Sequence, residues 1–149
     1  MAKFEIYTDG SCRSNTSKGG WGVVVISEDG TINTLSGCEF HTTNNRMELV
    51  AAIEALKYIQ NTIGPEAELV FYTDSTYLSR GMTEWTKGWK KRQWKMCNGQ
   101  AMKNADLWQT LDALSSTYHT KWKWVKAHNG NKYNEMADGL AQEASLPSQ

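Results

Sequence analysis

Two short segments of the sequence end in an aspartate and share the residue pattern that leads to it. Residues 6–9 read Ile-Tyr-Thr-Asp and residues 71–74 read Phe-Tyr-Thr-Asp, and a small residue follows each aspartate. If both segments are strands of one α/β sheet, their carboxyl ends meet where such sheets bind ligands. Asp9 and Asp74 would then lie side by side, and two unpaired carboxylates repel each other unless a cation lies between them. The alternative is that each Asp caps the turn or helix that follows it.

Three further residues are candidates for the same chemistry. Glu48 lies in the first turn of a predicted helix, although its spacing from Asn45 is also that of a capping box. Asp138 has apolar neighbours in the last predicted helix, and a buried carboxylate needs a partner or a metal. The alternative for Asp138 is an exposed helical position. His128 lies in a polar loop, where a solvated side chain is the alternative.

Taken together, these carboxylates indicate a hard divalent cation. Mg²⁺ and Mn²⁺ are bound by oxygen ligands, and the sequence offers four carboxylates without clustered histidines. Two such ions about 3.5–4 Å apart would hold the attacking and leaving oxygens of a phosphodiester. The three cysteines are an odd number and lack CxxC spacing, which argues against a thiolate zinc site and against a disulfide framework. Their number suits a reducing cytoplasm.

Charge is unevenly distributed along the chain. The 149 residues contain sixteen Lys or Arg and sixteen Asp or Glu, for a formal net charge of zero. Residues 85–105, here called the basic segment, contain six Lys or Arg, three Trp and no Asp or Glu. Such a stretch predicts contact with the phosphates of a nucleic acid. The alternative is the solvated face of a charged helix.

The apolar patterning predicts the elements that must position these residues. Strands are predicted at residues 3–9, 21–27, 31–40, 69–73 and 121–126, with a polar loop at 10–20 and a hairpin turn at 28–30. Helices are predicted at residues 47–59, from Ser75 into the basic segment, at 104–116 and at 133–144. This order describes an α/β domain with a mixed sheet. The length suits a single domain over residues 1–149. We expect no membrane span, because no apolar run is long enough, and the amino terminus lacks the pattern of a signal peptide.

Several of these motifs resemble those of bacterial-type ribonuclease HI, the type 1 ribonuclease H family, over nearly the full length of the chain. The most specific is Thr-Thr-Asn-Asn-Arg-Met-Glu at residues 42–48. Others are Tyr-Thr-Asp-Gly-Ser at 7–11, Thr-Asp-Ser at 73–75, Trp-Lys-Lys-Arg at 89–92, Asp-Leu-Trp at 106–108, Trp-Val-Lys-Ala-His at 124–128 and Asn-Glu at 134–135. The resemblance implies a ribonuclease H fold, with a five-stranded mixed sheet flanked by helices on both faces. It also implies an endoribonuclease that hydrolyses the RNA strand of RNA–DNA hybrids, leaving 3′-hydroxyl and 5′-phosphate ends.

The resemblance further implies a catalytic set. Two Mg²⁺ ions, or Mn²⁺ in their place, would be held by Asp9, Glu48, Asp74 and Asp138. His128 would assist proton transfer or product release. The resemblance implies an RNA–DNA hybrid as the partner. No oligomer signal appears in the sequence, so we expect a monomer, and the cysteine pattern suits a cytoplasmic location.

Substrate contacts are implied in the same way. The RNA minor groove and its 2′-hydroxyls would be contacted by Asn15, Asn44 and Asn45. A phosphate of the DNA strand would be held by Thr43 and Asn104, with His41 standing nearby where bacterial relatives often have Arg. The DNA strand would also lie on the family's basic protrusion, which corresponds to Trp85, Trp89, Lys90, Lys91 and Arg92.

Two other functions are compatible with such a fold. One is a nucleic-acid binding module without catalysis, which the loss of a carboxylate would support, and none is missing. The other is another enzyme of the same superfold, such as a resolvase or transposase core, against which the three asparagines and the basic segment argue. Comparing cleavage of hybrid, DNA duplex and RNA duplex distinguishes all three.

Overall fold

Five strands form one mixed sheet in the computed structural model, which describes residues 2–147. They are β1 (Ala2–Cys12), β2 (Gly19–Ser27), β3 (Ile32–Glu39), β4 (Ala67–Thr73) and β5 (His119–Trp124). The spatial order is β3-β2-β1-β4-β5, so β1 is central and β5 lies at an edge. The first three strands pair antiparallel, whereas β4 pairs parallel with both β1 and β5. The predicted fold class is confirmed, since helical crossovers deliver the two parallel strands.

Helices cover both faces of this sheet. They are α1 (Asn44–Thr62), α2 (Thr76–Arg80), α3 (Thr86–Lys91), α4 (Ala105–Ser115) and α5 (Lys132–Ala144), and one π-helical turn (Gly81–Trp85) joins α2 to α3. Alternate strand residues face opposite ways. Ile6 and Phe71 therefore pack in the main core with α1 and α4, whereas Tyr7 and Val24 pack against α5. Within residues 2–147, no helix has the length and apolar character needed to span a membrane.

The helices lie close to the sheet where the strands carry glycine. A Cβ atom on Gly20 would lie 2.1 Å from the carbonyl oxygen of Ala141, and one on Gly22 would lie 2.5 Å from that of Ala137. Any larger residue at these two positions would therefore push α5 away from β2. This close packing fixes the helix that carries Asp138.

Several predicted boundaries differ from the structure by two or more residues, among them the fifth strand, predicted over residues 121–126 but spanning His119–Trp124. Two of the differences lie beside the carboxyl end of β1. The predicted polar loop at residues 10–20 shrinks to residues 13–18, because Gly10 pairs with Trp21 and Cys12 pairs with Gly19 across the hairpin. The first helix was predicted over residues 47–59 but spans Asn44–Thr62. Residues 10–12 therefore extend β1, and residues 44–46 form the start of α1 beside the carboxyl end of that strand.

Candidate metal centre and nucleic-acid surface

The two Tyr-Thr-Asp motifs lie in register on neighbouring parallel strands. Tyr7 of β1 pairs with Tyr72 of β4, and their rings stack with centroids 4.5 Å apart. Two residues further on, Asp9 and Asp74 stand side by side. The capping alternative is wrong for both. The hydroxyl of Ser75, not Asp74, accepts the hydrogen bond that begins α2, and Asp9 is still paired within the sheet.

Glu48 joins the two aspartates from α1. Thr43 is the N-cap of α1, since its hydroxyl accepts a hydrogen bond from the amide of Arg46 at 3.1 Å, so the capping-box alternative is wrong. Glu48 lies one residue beyond the first turn and is buried. One carboxylate oxygen from each of Asp9, Glu48 and Asp74 lies within 4.8 Å of the others. Three carboxylates from three different elements thus converge.

Asp138 reaches the same place from α5, on the opposite face of the sheet. Its carboxyl group lies beside that of Asp9, and it accepts hydrogen bonds from the Gln142 amide at 3.3 Å on both oxygens. Asp138 is half-buried and does not belong to the set of three whose oxygens all lie within 4.8 Å. It therefore extends the cluster on one side, next to Asp9.

The pKa values of Asp9, Glu48 and Asp74 are raised when no cation is present, so these groups hold their protons to higher pH than free carboxyls do. Burial is the main cause that raises the pKa of Asp9 to about 9, and the neighbouring Asp138 and Asp74 add to it. Burial, followed by the charges of Asp9 and Asp74, also raises the pKa of Glu48 well above its usual range. Burial also raises the pKa of Asp74, while the nearby Asn134 amide and the charge of His128 oppose that rise.

This donor set fits a hard divalent cation. Oxygen Oε1 of Glu48 is buried and has no hydrogen-bond partner among the residues that the structure describes. A buried acceptor without a hydrogen-bond partner lowers the stability of the folded state, and three or four closely spaced carboxylates lower it further. A divalent ion would satisfy the unpaired oxygen and offset the repulsion, and carboxylate oxygens are the ligands that Mg²⁺ and Mn²⁺ prefer.

We expect divalent ions to stabilise the protein more strongly as pH rises from about 5 to 8. The raised pKa values mean that the folded, metal-free protein holds protons that the unfolded chain has released. The carboxylate centre therefore costs no stability below about pH 4 and progressively more as pH rises towards 9. Bound cations replace those protons. Urea unfolding at several pH values gives the free energy of unfolding in EDTA and in saturating Mg²⁺. A gain from Mg²⁺ that does not change with pH would contradict this account.

The predicted RNA-contacting asparagines lie at the same edge of the sheet. Asn15 is exposed in the loop at residues 13–18, and Asn44 and Asn45 are exposed in the first turn of α1. The two segments are tied together, because Asn44 Oδ1 accepts a hydrogen bond from the Cys12 amide at 2.6 Å and the Thr42 amide donates to the Ser17 carbonyl at 3.1 Å. Loop and helix start therefore form one unit next to Asp9.

Two cations anchor this loop to the end of α5. Arg13 Nε donates to the hydroxyl of Ser145 at 3.1 Å, and Lys18 Nζ donates to the carbonyl of Leu146 at 2.6 Å. Lys18 is buried, with its ammonium group also 5.4 Å from the ring centroid of Phe40. Cations are favourable at the carboxyl end of a helix, where unpaired carbonyls collect. The loop that carries Asn15 is thus held at both ends by the helix that carries Asp138.

The predicted contacts to the DNA strand lie in two places. Thr43 and His41 are exposed at the start of α1, and His41 adopts a positive φ of 56°. Asn104 precedes α4, also with a positive φ, of 60°, and its amide donates to the hydroxyl of Tyr77 at 3.2 Å. The Tyr77 hydroxyl also accepts a hydrogen bond from the indole of Trp108 at 3.0 Å, which fixes Asn104 to the core.

The tryptophans of the basic segment anchor it to the core. The ring of Trp89 lies 4.9 Å from that of the buried Trp108, and Trp85 and Trp94 pack on either side of it. The interleaved Trp residues are therefore partly buried. Of the three predicted cations, Lys90 is ion-paired with Asp112 at 3.0 Å, and the exposed Lys91 and Arg92 have no ion pair within the described residues.

Two residues beside Asp74 are absent from the predicted site. Asn134 of α5 is only 2% exposed, and its amide lies close enough to the Asp74 carboxylate to lower the pKa of that carboxyl. Trp124, at the end of β5, donates its indole N–H to the main-chain carbonyl of Asp74 at 3.0 Å. The signal for Asn134 was its place in the Asn-Glu motif at the start of α5. The sequence carried no signal for the Trp124 contact beyond its position at a strand end.

A family model and the most similar sequences both indicate one family. The family model described as RNase H matches residues 1–146. A ribonuclease H from Legionella pneumophila (strain Corby) is 47% identical over 139 residues, covering 93% of this chain and 94% of the relative. A ribonuclease H from a Cyanothece species is 46% identical over 138 residues, covering 93% of this chain and 86% of the relative.

Solved structures share the fold. The crystal structure of LC9-RNase H1, described as a type 1 RNase H with the type 2 active-site motif, is 35% identical with a TM-score of 0.88. The match covers 97% of this chain and 72% of that chain. LC11-RNase H1, solved in complex with an RNA/DNA hybrid, is 24% identical with a TM-score of 0.73. The match covers 95% of this chain and 96% of that one, and it shows the fold alone.

Proposed function

The chain belongs to the ribonuclease H family of metal-dependent endonucleases that act on RNA–DNA hybrids, and we propose that it cleaves the RNA strand with two Mg²⁺ ions, leaving 3′-hydroxyl and 5′-phosphate ends. The observation that carries this proposal is the convergence of Asp9, Glu48 and Asp74 within 4.8 Å, with Asp138 beside them. Mn²⁺ is expected to replace Mg²⁺, because both prefer oxygen ligands.

Each carboxylate has a proposed place in this centre. Asp9 would be the shared ligand, because its carboxyl group lies beside those of both Asp74 and Asp138. Glu48 and Asp74 would complete the site of one ion, and Asp138 that of the other. When bound, the two ions supply electrostatic stabilisation of the attacking and leaving oxygens of the phosphodiester.

Neighbouring residues keep these ligands in position and handle the proton. The Asn134 amide holds the Asp74 carboxylate, and the Gln142 amide holds that of Asp138. His128 stands in an exposed loop close enough to Asp74 for its charge to lower the pKa of that carboxyl. We assign to His128 one of two roles: it delivers a proton to the departing 3′-oxygen, or it assists the release of the product.

Strand selection follows from the surfaces on either side of the carboxylates. Asn15, Asn44 and Asn45 offer amides to the 2′-hydroxyls that distinguish RNA from DNA. A DNA phosphate is held at Thr43, His41 and Asn104. The rest of the DNA strand lies on Trp85, Trp89, Lys90, Lys91 and Arg92. We further propose that the chain acts as one domain and as a monomer, since a single sheet and its helices carry all of these residues.

The decisive experiment compares three substrates of one sequence: hybrid, DNA duplex and RNA duplex. With Mg²⁺ we expect cleavage of the hybrid alone, in its RNA strand, and no cleavage after excess EDTA. Ligation of the downstream product and extension of the upstream product by a polymerase identify the 5′-phosphate and 3′-hydroxyl. Binding of the hybrid without cleavage would indicate a non-catalytic module, and cleavage of duplex DNA would indicate a recombinase-like enzyme.

The basic segment should determine how strongly hybrid binding depends on salt. Log K falls with log salt, and each lost phosphate contact decreases the steepness of that fall by about 0.9. We expect that decrease for Lys91→Ala and for Arg92→Ala, and a smaller one for Lys90→Ala, because Lys90 is already paired with Asp112. Fluorescence anisotropy over a salt series measures the slopes.

Lys57→Ala is the matched control for this series, since Lys57 is an exposed lysine on α1 that pairs with Glu54. Its slope should equal that of the parent protein. Unchanged slopes for Lys91→Ala and Arg92→Ala would show that the basic segment is only a solvated face.

A further inference from the structure

Asp74 differs from the other three carboxylates in the backbone that carries it. Asp9 lies within β1, Glu48 within α1 and Asp138 within α5. Asp74 instead lies in the connection between β4 and α2, at residues 74–75. Regular strand or helix hydrogen bonds therefore hold the main chain of three candidate ligands, and the position of Asp74 depends on other contacts.

The main-chain carbonyl of Asp74 receives no hydrogen bond from α2. The first amides of this helix bond to Ser75 instead, since Leu78 N–H donates to the Ser75 hydroxyl and Ser79 N–H to the Ser75 carbonyl, both at 3.1 Å. In the part of the chain that the structure describes, the one donor to the Asp74 carbonyl is the indole N–H of Trp124, at 3.0 Å. Because rotation about ψ swings this carbonyl relative to the side chain, the indole bond fixes the direction of the Asp74 side chain.

Trp124 extends the pairing between β4 and β5 by one residue. The main-chain ladder ends at Thr73, whose carbonyl accepts a hydrogen bond from the Val125 amide at 2.9 Å. Trp124 is the register partner of Thr73, and its side chain reaches past Thr73 to the carbonyl of Asp74. The edge strand thus holds the connection that carries a candidate metal ligand.

Packing does not by itself account for a Trp at this position. The Trp124 side chain is 51% exposed, so water can satisfy its N–H without the bond to Asp74. Trp122, two residues earlier on the same face of β5, provides the packing contact, because its ring stacks on that of Phe71 with centroids 4.4 Å apart. What Trp124 adds to this strand end is the hydrogen bond to Asp74.

We propose that Trp124 is a positioning residue for the metal centre, an inference that rests on the proposed function. Its indole N–H holds the main chain of Asp74 so that this carboxylate faces those of Asp9 and Glu48. Removing a group that orients a metal ligand commonly weakens metal binding by roughly 10–100-fold. Trp124 contacts the main chain of the ligand and not its carboxylate, so we expect a loss of about tenfold.

The test is the affinity for Mg²⁺, measured by calorimetry at pH 8 without nucleic acid. Trp124→Phe keeps an aromatic ring but lacks the N–H, and it should bind Mg²⁺ about tenfold more weakly than the parent protein. Trp124→His restores a donor, because its Nε2–H lies two bonds beyond Cγ, as the indole N–H does. An imidazole with a pKa of about 6.5 is mainly neutral at pH 8, so this variant should recover most of the affinity without adding a charge.

Trp122→Phe is the matched control, since it makes the same change on the same face of the same strand. Urea unfolding in EDTA should show that it is destabilised at least as much as Trp124→Phe, because Trp122 packs against the core. Its affinity for Mg²⁺ should nevertheless equal that of the parent protein. In cleavage assays, Trp124→Phe should need more Mg²⁺ for its half-maximal rate, with an unchanged KM for the hybrid.

Three results would overturn the inference: parent-like Mg²⁺ affinity in Trp124→Phe, equal weakening in Trp122→Phe, or a Trp124→His variant that binds Mg²⁺ no better than Trp124→Phe. The parent protein is measured first. A parent that neither binds Mg²⁺ nor cleaves the hybrid would overturn the proposed function itself, which separates that failure from the failure of Trp124 as a positioning residue.

Discussion

Replacing Asp9 by Asn should abolish cleavage of the hybrid while making the metal-free protein more stable. Asp9 is the proposed shared ligand, so its loss removes stabilisation of several kcal/mol from the transition state, roughly a thousandfold or more in rate. The same substitution removes a buried carboxyl group whose ionisation is disfavoured by burial and by the neighbouring Asp138 and Asp74. Each unit by which burial and repulsion raise a pKa corresponds to about 1.4 kcal/mol. The gain at pH 8 should therefore exceed about 1 kcal/mol.

Single-turnover cleavage and urea unfolding in EDTA measure the two effects. Asp106→Asn is a suitable control, because that carboxylate is exposed, and it should change neither rate nor stability appreciably. Asp74→Asn should also abolish cleavage without unfolding the protein. Undiminished cleavage by Asp9→Asn would refute the metal centre, and a destabilised but inactive variant would refute the repulsion described here.

Replacing Gly10 by Ala should destabilise the protein and weaken metal binding together. A Cβ atom at this position would lie 2.4 Å from the backbone nitrogen of Glu48, which is backbone and cannot swing aside. Helix α1 would have to retreat from β1, taking the Glu48 carboxylate with it. Overpacking of this kind costs about 1–3 kcal/mol.

Gly139→Ala is the matched control, because Gly139 lies in α5 with open space around its Cβ position. It should be neutral or stabilise by up to about 1 kcal/mol. Mg²⁺ titration by calorimetry, together with urea unfolding, compares the two variants. Parent-like Mg²⁺ affinity in Gly10→Ala would show that the approach of α1 to β1 does not set the position of Glu48.

Local patterning predicted the strands and the pairing of the two aspartates correctly. Alternating apolar residues precede both Tyr-Thr-Asp motifs and predict a strand in each case. When the two strands pair in parallel, the same motif on each places the two aspartates side by side at the carboxyl ends. The register of Tyr7 with Tyr72 then follows from the shared burial of Ile6 and Phe71. The general order of elements was predictable for the same reason, since each has its own apolar period.

The features that the sequence did not predict involve contacts between segments distant along the chain. The sequence pattern is compatible with either Thr43 or Asn45 as the N-cap of α1. The structure has Thr43 as the N-cap, so Glu48 lies within the helix, where α1 approaches Gly10. The close approach of Gly81, the first residue of the π-helical turn, to Trp108 is another such contact, because a Cβ on Gly81 would lie 2.0 Å from the Trp108 ring. The tryptophans of the basic segment are partly buried for the same reason, as Trp89 packs against Trp108.

The position of α5 has a consequence for protein synthesis. All five strands and the other helices precede α5 along the chain, so a ribosome delivers Asp9, Glu48 and Asp74 before it delivers Asp138. The same late segment provides Ser145 and Leu146, the groups that Arg13 and Lys18 require. A nascent chain therefore exposes an incomplete carboxylate centre and an unanchored loop at residues 13–18. If Asp138 is a metal ligand as proposed, the centre is completed only after translation has passed α5 and this helix has docked on Gly20 and Gly22.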